Sequence, residues 1–248
     1  MKSPSISLKG KDLEARLLHR DGLMLIINKP AGIAVHVGPG GGPNLEALFP
    51  ALRFGLPKPP ALAHRLDRDT SGCLVLGRHA KALSKLGKLF SQGRVQKTYW
   101  AVVQGGPAKD QGVMNFPLHK ISSAQKGWRM VVDEEQGKAS LTHYRVLGRS
   151  ETHSWLSLSP KTGRTHQIRV HCAHMGFPIE GDLQYGATSS EPQKGLHLHA
   201  RQIVVPISKN KDPIDVTAPP PRALRPLLEA CGYRAQAWPS TQFEAQSR

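Results

Sequence analysis

The run His64-Arg65-Leu66-Asp67-Arg68-Asp69-Thr70-Ser71-Gly72 sets one acidic side chain, Asp67, between two arginines and ahead of a Thr-Ser-Gly turn. A carboxylate held by cations can serve as a nucleophile or a general base. Taken alone, the run fits a plainer alternative better: a loop of solvated Arg–Asp pairs, which contribute little to stability. If the segment is extended, Asp69 points away from Asp67 and serves as an internal control for it. What lies on either side decides between the two readings.

Upstream, Leu23 to Ile27 reads as a buried strand, closed by a Lys29-Pro30-Ala31-Gly32 turn. Gly38 to Pro43 and Pro57 to Pro60 are loop breaks. Downstream, Gly72 to Leu76 reads as a short strand. Residues 80–92 follow with Ala82, Leu83, Leu86, Leu89 and Phe90 on one helical face. Strands are expected at Tyr99 to Val103, His143 to Leu147, Trp155 to Leu158 and Leu196 to Ile207, with a β-rich excursion over 105–140. Thr165 to Met175 reads as a helix, with Thr165 as N-cap and Gly176 as its stop. A short helix is expected after Pro219-Pro220-Pro221. Strands and helices mix without regular βαβ alternation, so the expectation is an α+β fold with a largely antiparallel or mixed central sheet. Residues 1–14 read as a loose arm, 15–234 as one catalytic-sized domain and 235–248 as a polar tail.

Lys plus Arg number 34 against 18 Asp plus Glu, a formal net charge of +16. Such an excess repels itself unless a polyanion binds, and nucleic acid is the first candidate partner. No polybasic amphipathic helix, signal peptide or membrane-length apolar run is present in the sequence. A soluble cytoplasmic protein, monomeric and without an obligate protein partner, is expected. Cys73, Cys172 and Cys231 are isolated thiols that fit a reducing compartment. His166, His171 and His174 cluster and His197 and His199 alternate, but the spacing is not HExxH and no cysteine stands at a ligand interval. No metal and no cofactor are expected.

The second polar cluster is Gly163-Arg164-Thr165-His166-Gln167-Ile168-Arg169-Val170-His171. Arg164 and the amide groups of a helix start make an anion site. Arg169 lies about one turn beyond Thr165, and its planar fork suits a carboxylate in a partly dry pocket. An Arg169–Asp67 pair would offset the cost of burying the carboxylate. A basic helix start that touches only phosphates explains the same residues equally well.

Taken together, HRLDRDTSG and GRTHQIRVH, in this order and about 100 residues apart, closely resemble the signature motifs of the RluA-type pseudouridine synthases. INKPAGIAVH at 27–36, GRVQKTYWAVVQG at 93–105, GDLQYG at 181–186 and LHLHARQIVV at 196–205 match further segments of that family. The resemblance spans roughly residues 15–210 and is that of a compact member without the N-terminal ribosomal-protein-type RNA-binding domain. It implies isomerisation of uridine in tRNA, large-subunit rRNA or both, with the nucleotide flipped out of its stack. It implies that Asp67 is the essential aspartate, Tyr99 the tyrosine that packs on the uracil, and Arg169 the arginine paired with the aspartate. Arg65 matches the residue that enters the vacated stack, and Ile168 a wall beneath the base. His64 would shape the motif loop, and Lys29 and Lys97 would contact RNA or the loop. Three roles for Asp67 remain compatible with the motif: attack on the ribose, attack on the base, or removal of a sugar proton. A non-catalytic RNA-binding or ribosome-assembly protein shares the basic surface but need not keep Asp67, Tyr99 and Arg169. A carboxylate glycosidase would want two cooperating acids.

Overall fold

A computed structural model describes residues 8–38, 41–123, 127–186, 195–208 and 210–234. The chain opens with a short helix, α1 (Gly10–Glu14), and two strands, β1 (Leu17–Arg20) and β2 (Met24–Lys29). A 3-10 helix (Glu46–Leu52), β3 (Ala61–Leu62), β4 (Ser71–Gly77) and α2 (Ala80–Ser91) follow. The middle of the chain is β5 (Gln96–Gln104), β6 (Gln111–Asn115), β7 (Leu118–Ser123), β8 (Gly127–Val132), β9 (Leu141–Arg149) and β10 (His153–Pro160). Then come α3 (Gln167–His174), β11 (Leu198–Val205), β12 (Ile214–Thr217), a 3-10 turn (Arg222–Leu224) and α4 (Arg225–Ala230).

Among the described residues, ten strands share one sheet in the order β1-β2-β4-β11-β5-β10-β9-β6, with β3 added beside β4 and β12 beside β11. β7 and β8 form a separate hairpin. Among the named strands of the described residues, only β4 and β11 pair in parallel. This is the expected α+β architecture with a largely antiparallel sheet. The parallel contact carries the polar run into the middle of the sheet. Gly72 there has φ of 108°, and a Cβ at that position would collide with the Ala200 carbonyl of β11. The glycine that ends the motif is therefore demanded by strand crossing.

The apolar runs divide between the two faces as strand periodicity requires. Leu25 and Ile27 of β2, with Leu74 and Leu76 of β4, pack towards the 3-10 helix through Phe49 and Leu52. Met24, Ile26 and Val75 face the other way, against Leu86 and Leu89 of α2. Further along the sheet, Ala101, Leu156 and Leu158 receive Ile168 and Cys172 of α3. Burial on both faces is why these strands read as continuous apolar runs.

Three expectations need correction. Residues 10–14 are no loose arm: α1 is helical, and Leu13, fully buried, joins the cluster around Phe49 and Leu52. A five-residue helix is not stable alone, but burying one leucine contributes about 1.5–3 kcal/mol, enough to dock it. Residues 1–7 of that arm and the tail 235–248 lie outside the described residues. The second correction is the helix at Thr165. It begins at Gln167, and the residue before it, His166, takes the left-handed conformation, φ 52° and ψ 17°, without a side-chain cap. The Gln167 carbonyl Oε1 accepts from both the Arg164 N–H (3.0 Å) and the Thr162 hydroxyl (2.7 Å), so the local turn is fixed from inside the helix. Its end is as expected: Gly176 follows the C-cap Met175 with φ of 84°. The third correction concerns Asp67 and Asp69. The segment is a turn closed by Thr70 N–H to the Asp67 carbonyl (3.2 Å), not an extended strand. It still separates the two acids, leaving Asp67 half-buried and Asp69 exposed.

Candidate active site

The polar run is anchored from beneath. Lys29 at the end of β2 is fully buried, and its ammonium donates to the Pro30 carbonyl (2.7 Å) and the Arg68 carbonyl (2.9 Å). The Gly32 N–H donates to the same Arg68 carbonyl at 2.9 Å, and Arg68 Nε returns a bond to the Gly32 carbonyl at 3.2 Å. The Lys-Pro-Ala-Gly turn thus clamps the backbone on which Asp67 sits. Burial pulls the Lys29 ammonium down to about 7, against the opposing charges of Asp69 and Asp67. Lys29 is a loop contact, and with no exposed surface it offers nothing to RNA. His64 closes the other side. Its Nε2 accepts from the Val75 N–H of β4 (3.0 Å), and its ring stacks on Phe90 of α2 at 4.5 Å. Burial, reinforced by Lys97, pushes its pKa down to about 3, so it stays neutral.

Asp67 opens from this clamped turn onto a cleft of about 740 Å³. Its side chain keeps 25% exposure, and His166 faces it with Nε2 to Oδ2 of 3.9 Å. Tyr99 of β5 also lines the cleft. Burial first, then the Asp67 and Cys73 charges, push its phenol up, which keeps it protonated. Ile168 is 6% exposed and divides its surface between the cleft wall and the apolar cluster under α3. Arg65 is exposed at the cleft, and Lys97 of β5, whose pKa burial lowers, sits on the wall. Arg164 is exposed on the rim and donates Nε to the Ala139 carbonyl at 3.2 Å. The result is a carboxylate and a phenol at the bottom of a hollow with cations around it.

Arg169 departs from expectation. It reaches the same cleft, but its fork closes on Asp182 and not on Asp67, with Nε to Oδ2 of 2.8 Å and Nη2 to Oδ1 of 2.7 Å. Asp182 is 3% exposed, so its carboxylate needs the nearer, bidentate partner. The same Oδ1 accepts the N–H groups of Gln184 and Tyr185, which shapes the turn that follows. Burial opposes the charge on Arg169, but the Asp182 hydrogen bonds and charge and the Asp67 charge outweigh it and raise the pKa. Arg169 therefore acts on Asp67 across space as a fixed cation.

Three residues of the site were not singled out from the sequence. Asp182 and Tyr185 lie in the quoted GDLQYG segment and His166 in GRTHQIRVH, where nothing in the sequence assigns any of them a role in the chemistry. The Tyr185 hydroxyl lies 2.8 Å from His166 Nδ1, and the Trp128 ring of β8 lies 5.2 Å from the His166 ring. A second hollow of about 440 Å³ behind Asp67 is shared by His166, Arg169 and Asp69. Of the other histidines, His171 meets Ser140 (2.9 Å) and Thr142 (3.1 Å), and His199 meets Ser71 (2.8 Å) and the Ala218 carbonyl (3.2 Å). Neither His197 nor His199 faces solvent. Among the described residues, no group of three or more His, Cys, Asp or Glu could hold a metal ion.

The sequence profile of the RNA pseudouridylate synthase family matches residues 23–174. An uncharacterised RNA pseudouridine synthase of Zymomonas mobilis is 43% identical over 216 residues, covering 87% of this chain and 98% of its own length. Ribosomal large subunit pseudouridine synthase C of Haemophilus ducreyi is 38% identical over 230 residues, covering 89% of this chain and 70% of its own length. The solved structure of human RNA pseudouridylate synthase domain containing 4 superposes with a TM-score of 0.75 at 28% identity, covering 90% of this chain and 95% of that one.

Proposed function

The chain belongs to the RNA pseudouridylate synthase family, an isomerase family, and from that premise we propose that its cleft converts a specific uridine of structured RNA to pseudouridine through Asp67. The observation that carries this reading is the half-buried Asp67 carboxylate, set on a turn that Lys29 clamps through the Arg68 carbonyl and facing a cleft that Tyr99, Ile168 and Arg169 also line.

The reaction breaks the bond from uracil N1 to ribose C1′, turns the ring and forms the bond from C5 to C1′, with C5 losing its proton and N1 gaining one, so that the product is an isomer of the substrate. No electrons are gained or lost. The base must leave its stack to reach Asp67. Arg65 is exposed where the flipped nucleotide enters and fills the gap that it leaves. Tyr99 and Ile168 hold the uracil ring, while Arg164 and Lys97 meet phosphates. Attack on the ribose, attack on the base and removal of a sugar proton all ask the fold for a carboxylate fixed close to the glycosidic bond. The +16 charge supports RNA as the partner, and no helix of the described residues is long and apolar enough to cross a membrane. The relative named for the ribosomal large subunit favours rRNA over tRNA as the first substrate to test.

Pseudouridine mapping by carbodiimide labelling, in RNA from cells with and without the protein, tests the reading. Loss of signal confined to one or a few rRNA or tRNA positions, restored by the purified protein, is expected. An unchanged pseudouridine profile, with no product from the purified protein, would favour the second reading, an RNA-binding protein that assists assembly.

A further inference from the structure

His166 sits where three elements converge. It precedes α3 in the left-handed region, which a non-glycine residue seldom adopts. Its side chain is 11% exposed. The ring is tilted by 31° against Trp128 of β8 and meets Tyr185 edge-on at 5.6 Å. Nδ1 faces the Tyr185 hydroxyl at 2.8 Å, and Nε2 faces Asp67 Oδ2 at 3.9 Å.

The protons in this chain can be assigned. The Met130 N–H donates to the Tyr185 hydroxyl oxygen at 3.1 Å. The phenol has one proton of its own, and of its two hydrogen-bond partners, the Met130 N–H and His166 Nδ1, only Nδ1 can accept it. A phenol that donates to Nδ1 leaves the imidazole proton on Nε2, the nitrogen that faces Asp67. Burial lowers the His166 pKa; the Arg169 and Arg65 charges add to this, while those of Asp67 and Asp182 oppose it. The ring is therefore neutral at pH 7. Lys120 of the hairpin has its ammonium 4.9 Å from the Trp128 ring.

We propose that His166 is a positioning residue for Asp67: a neutral imidazole, held in one tautomer by Tyr185, that donates Nε2–H to the carboxylate and aims it at the nucleotide. The proposal rests on Asp67 being the reacting group. The 3.9 Å gap must shorten by about 1 Å to become a hydrogen bond, and catalytic hydrogen bonds commonly tighten when substrate binds. A neutral donor orients the carboxylate without neutralising it. Arg169 directs its Nε and Nη2 to Asp182 and acts on Asp67 through its charge.

The test compares wild type, His166→Ala, Tyr185→Phe and Asp67→Asn, using in vitro transcripts of tRNA and large-subunit rRNA. Single-turnover pseudouridine formation, RNA affinity and the imidazole ¹⁵N spectrum of the free protein are measured. The His166 resonances, identified by their loss in His166→Ala, are expected to show an Nε2–H tautomer, and Tyr185→Phe is expected to give a mixture. His166→Ala should lower the single-turnover rate about 10- to 100-fold and leave RNA affinity unchanged, with Tyr185→Phe falling between it and wild type. An Nδ1–H tautomer in the wild type, or a full rate in His166→Ala, overturns the proposal. If His166→Ala does not fold, Asn, which tolerates the left-handed backbone, replaces Ala, and the Tyr185→Phe tautomer shift decides. Full turnover by Asp67→Asn would defeat the catalytic reading itself. An inactive Asp67→Asn beside a fully active His166→Ala would defeat only the positioning role.

Discussion

The two walls of the cleft are built on different principles. The wall that carries Asp67 is tied through backbone groups: Lys29 and Gly32 grip the Arg68 carbonyl, and His64 takes the Val75 N–H. The facing wall, at the start of α3, is tied through side chains: Arg169 to Asp182, His166 to Tyr185, and Trp128 against His166. A backbone clamp fixes where the carboxylate is. A side-chain network can shift slightly and so can adjust to a bound nucleotide. Rigidity stands under the Asp67 carboxylate, and adaptability stands opposite it.

The contrast can be broken most severely at Lys29. Lys29→Met keeps the volume, leaves the part-buried Pro30 carbonyl without its side-chain donor and leaves the Arg68 carbonyl with the Gly32 N–H alone. An unsatisfied group costs about 1–3 kcal/mol, so both the melting temperature and the rate of pseudouridine formation should fall together. Arg169→Lys acts on the other wall. Lysine keeps the charge and loses the fork on Asp182, so the rate should drop about tenfold with a smaller loss of thermal stability than Lys29→Met causes. Equal damage to stability from both variants would erase the distinction between the walls.

Acid should act on the backbone-tied side before the chemistry is lost. His64 and His199 are buried and neutral, with pKa values pulled from 6.5 down to about 3 and about 4, mainly by burial. The unfolded chain takes up these protons near pH 6.5, while the folded chain resists them. Their contribution is therefore complete above pH 6.5 and declines as pH falls towards 4. Melting curves across this range should show a steady fall, and a flat profile would contradict neutral burial. The smallest effect is expected at Asp69, which is exposed and makes no direct bond to the clamp. Asp69→Asn should keep substantial activity in the same labelling assay.

Much of this fold is legible in the sequence, because β2, β4, α2, β5 and β10 are long apolar patterns whose burial leaves no competing arrangement. α1 and the 3-10 helix at Glu46–Leu52 are not, since one turn carries no periodicity and Pro50 lies inside the second. At the site, Asp67 and Tyr99 can be picked out by motif because each is set by its own short segment. The partner of Arg169 cannot, because Asp182 lies 13 residues away, beyond any helical spacing rule, and only the folded turn brings it close. The helix start shows the same limit: Thr165 has the right chemistry for a cap, yet the left-handed His166 moves the start two residues on, to Gln167.

The most direct measurement is pseudouridine formation by Asp67→Asn, read by carbodiimide labelling beside an RNA-binding assay on the same preparation. Wild-type affinity with no detectable product is the expected result. Turnover at the wild-type rate would contradict the assignment of Asp67 as the reacting carboxylate.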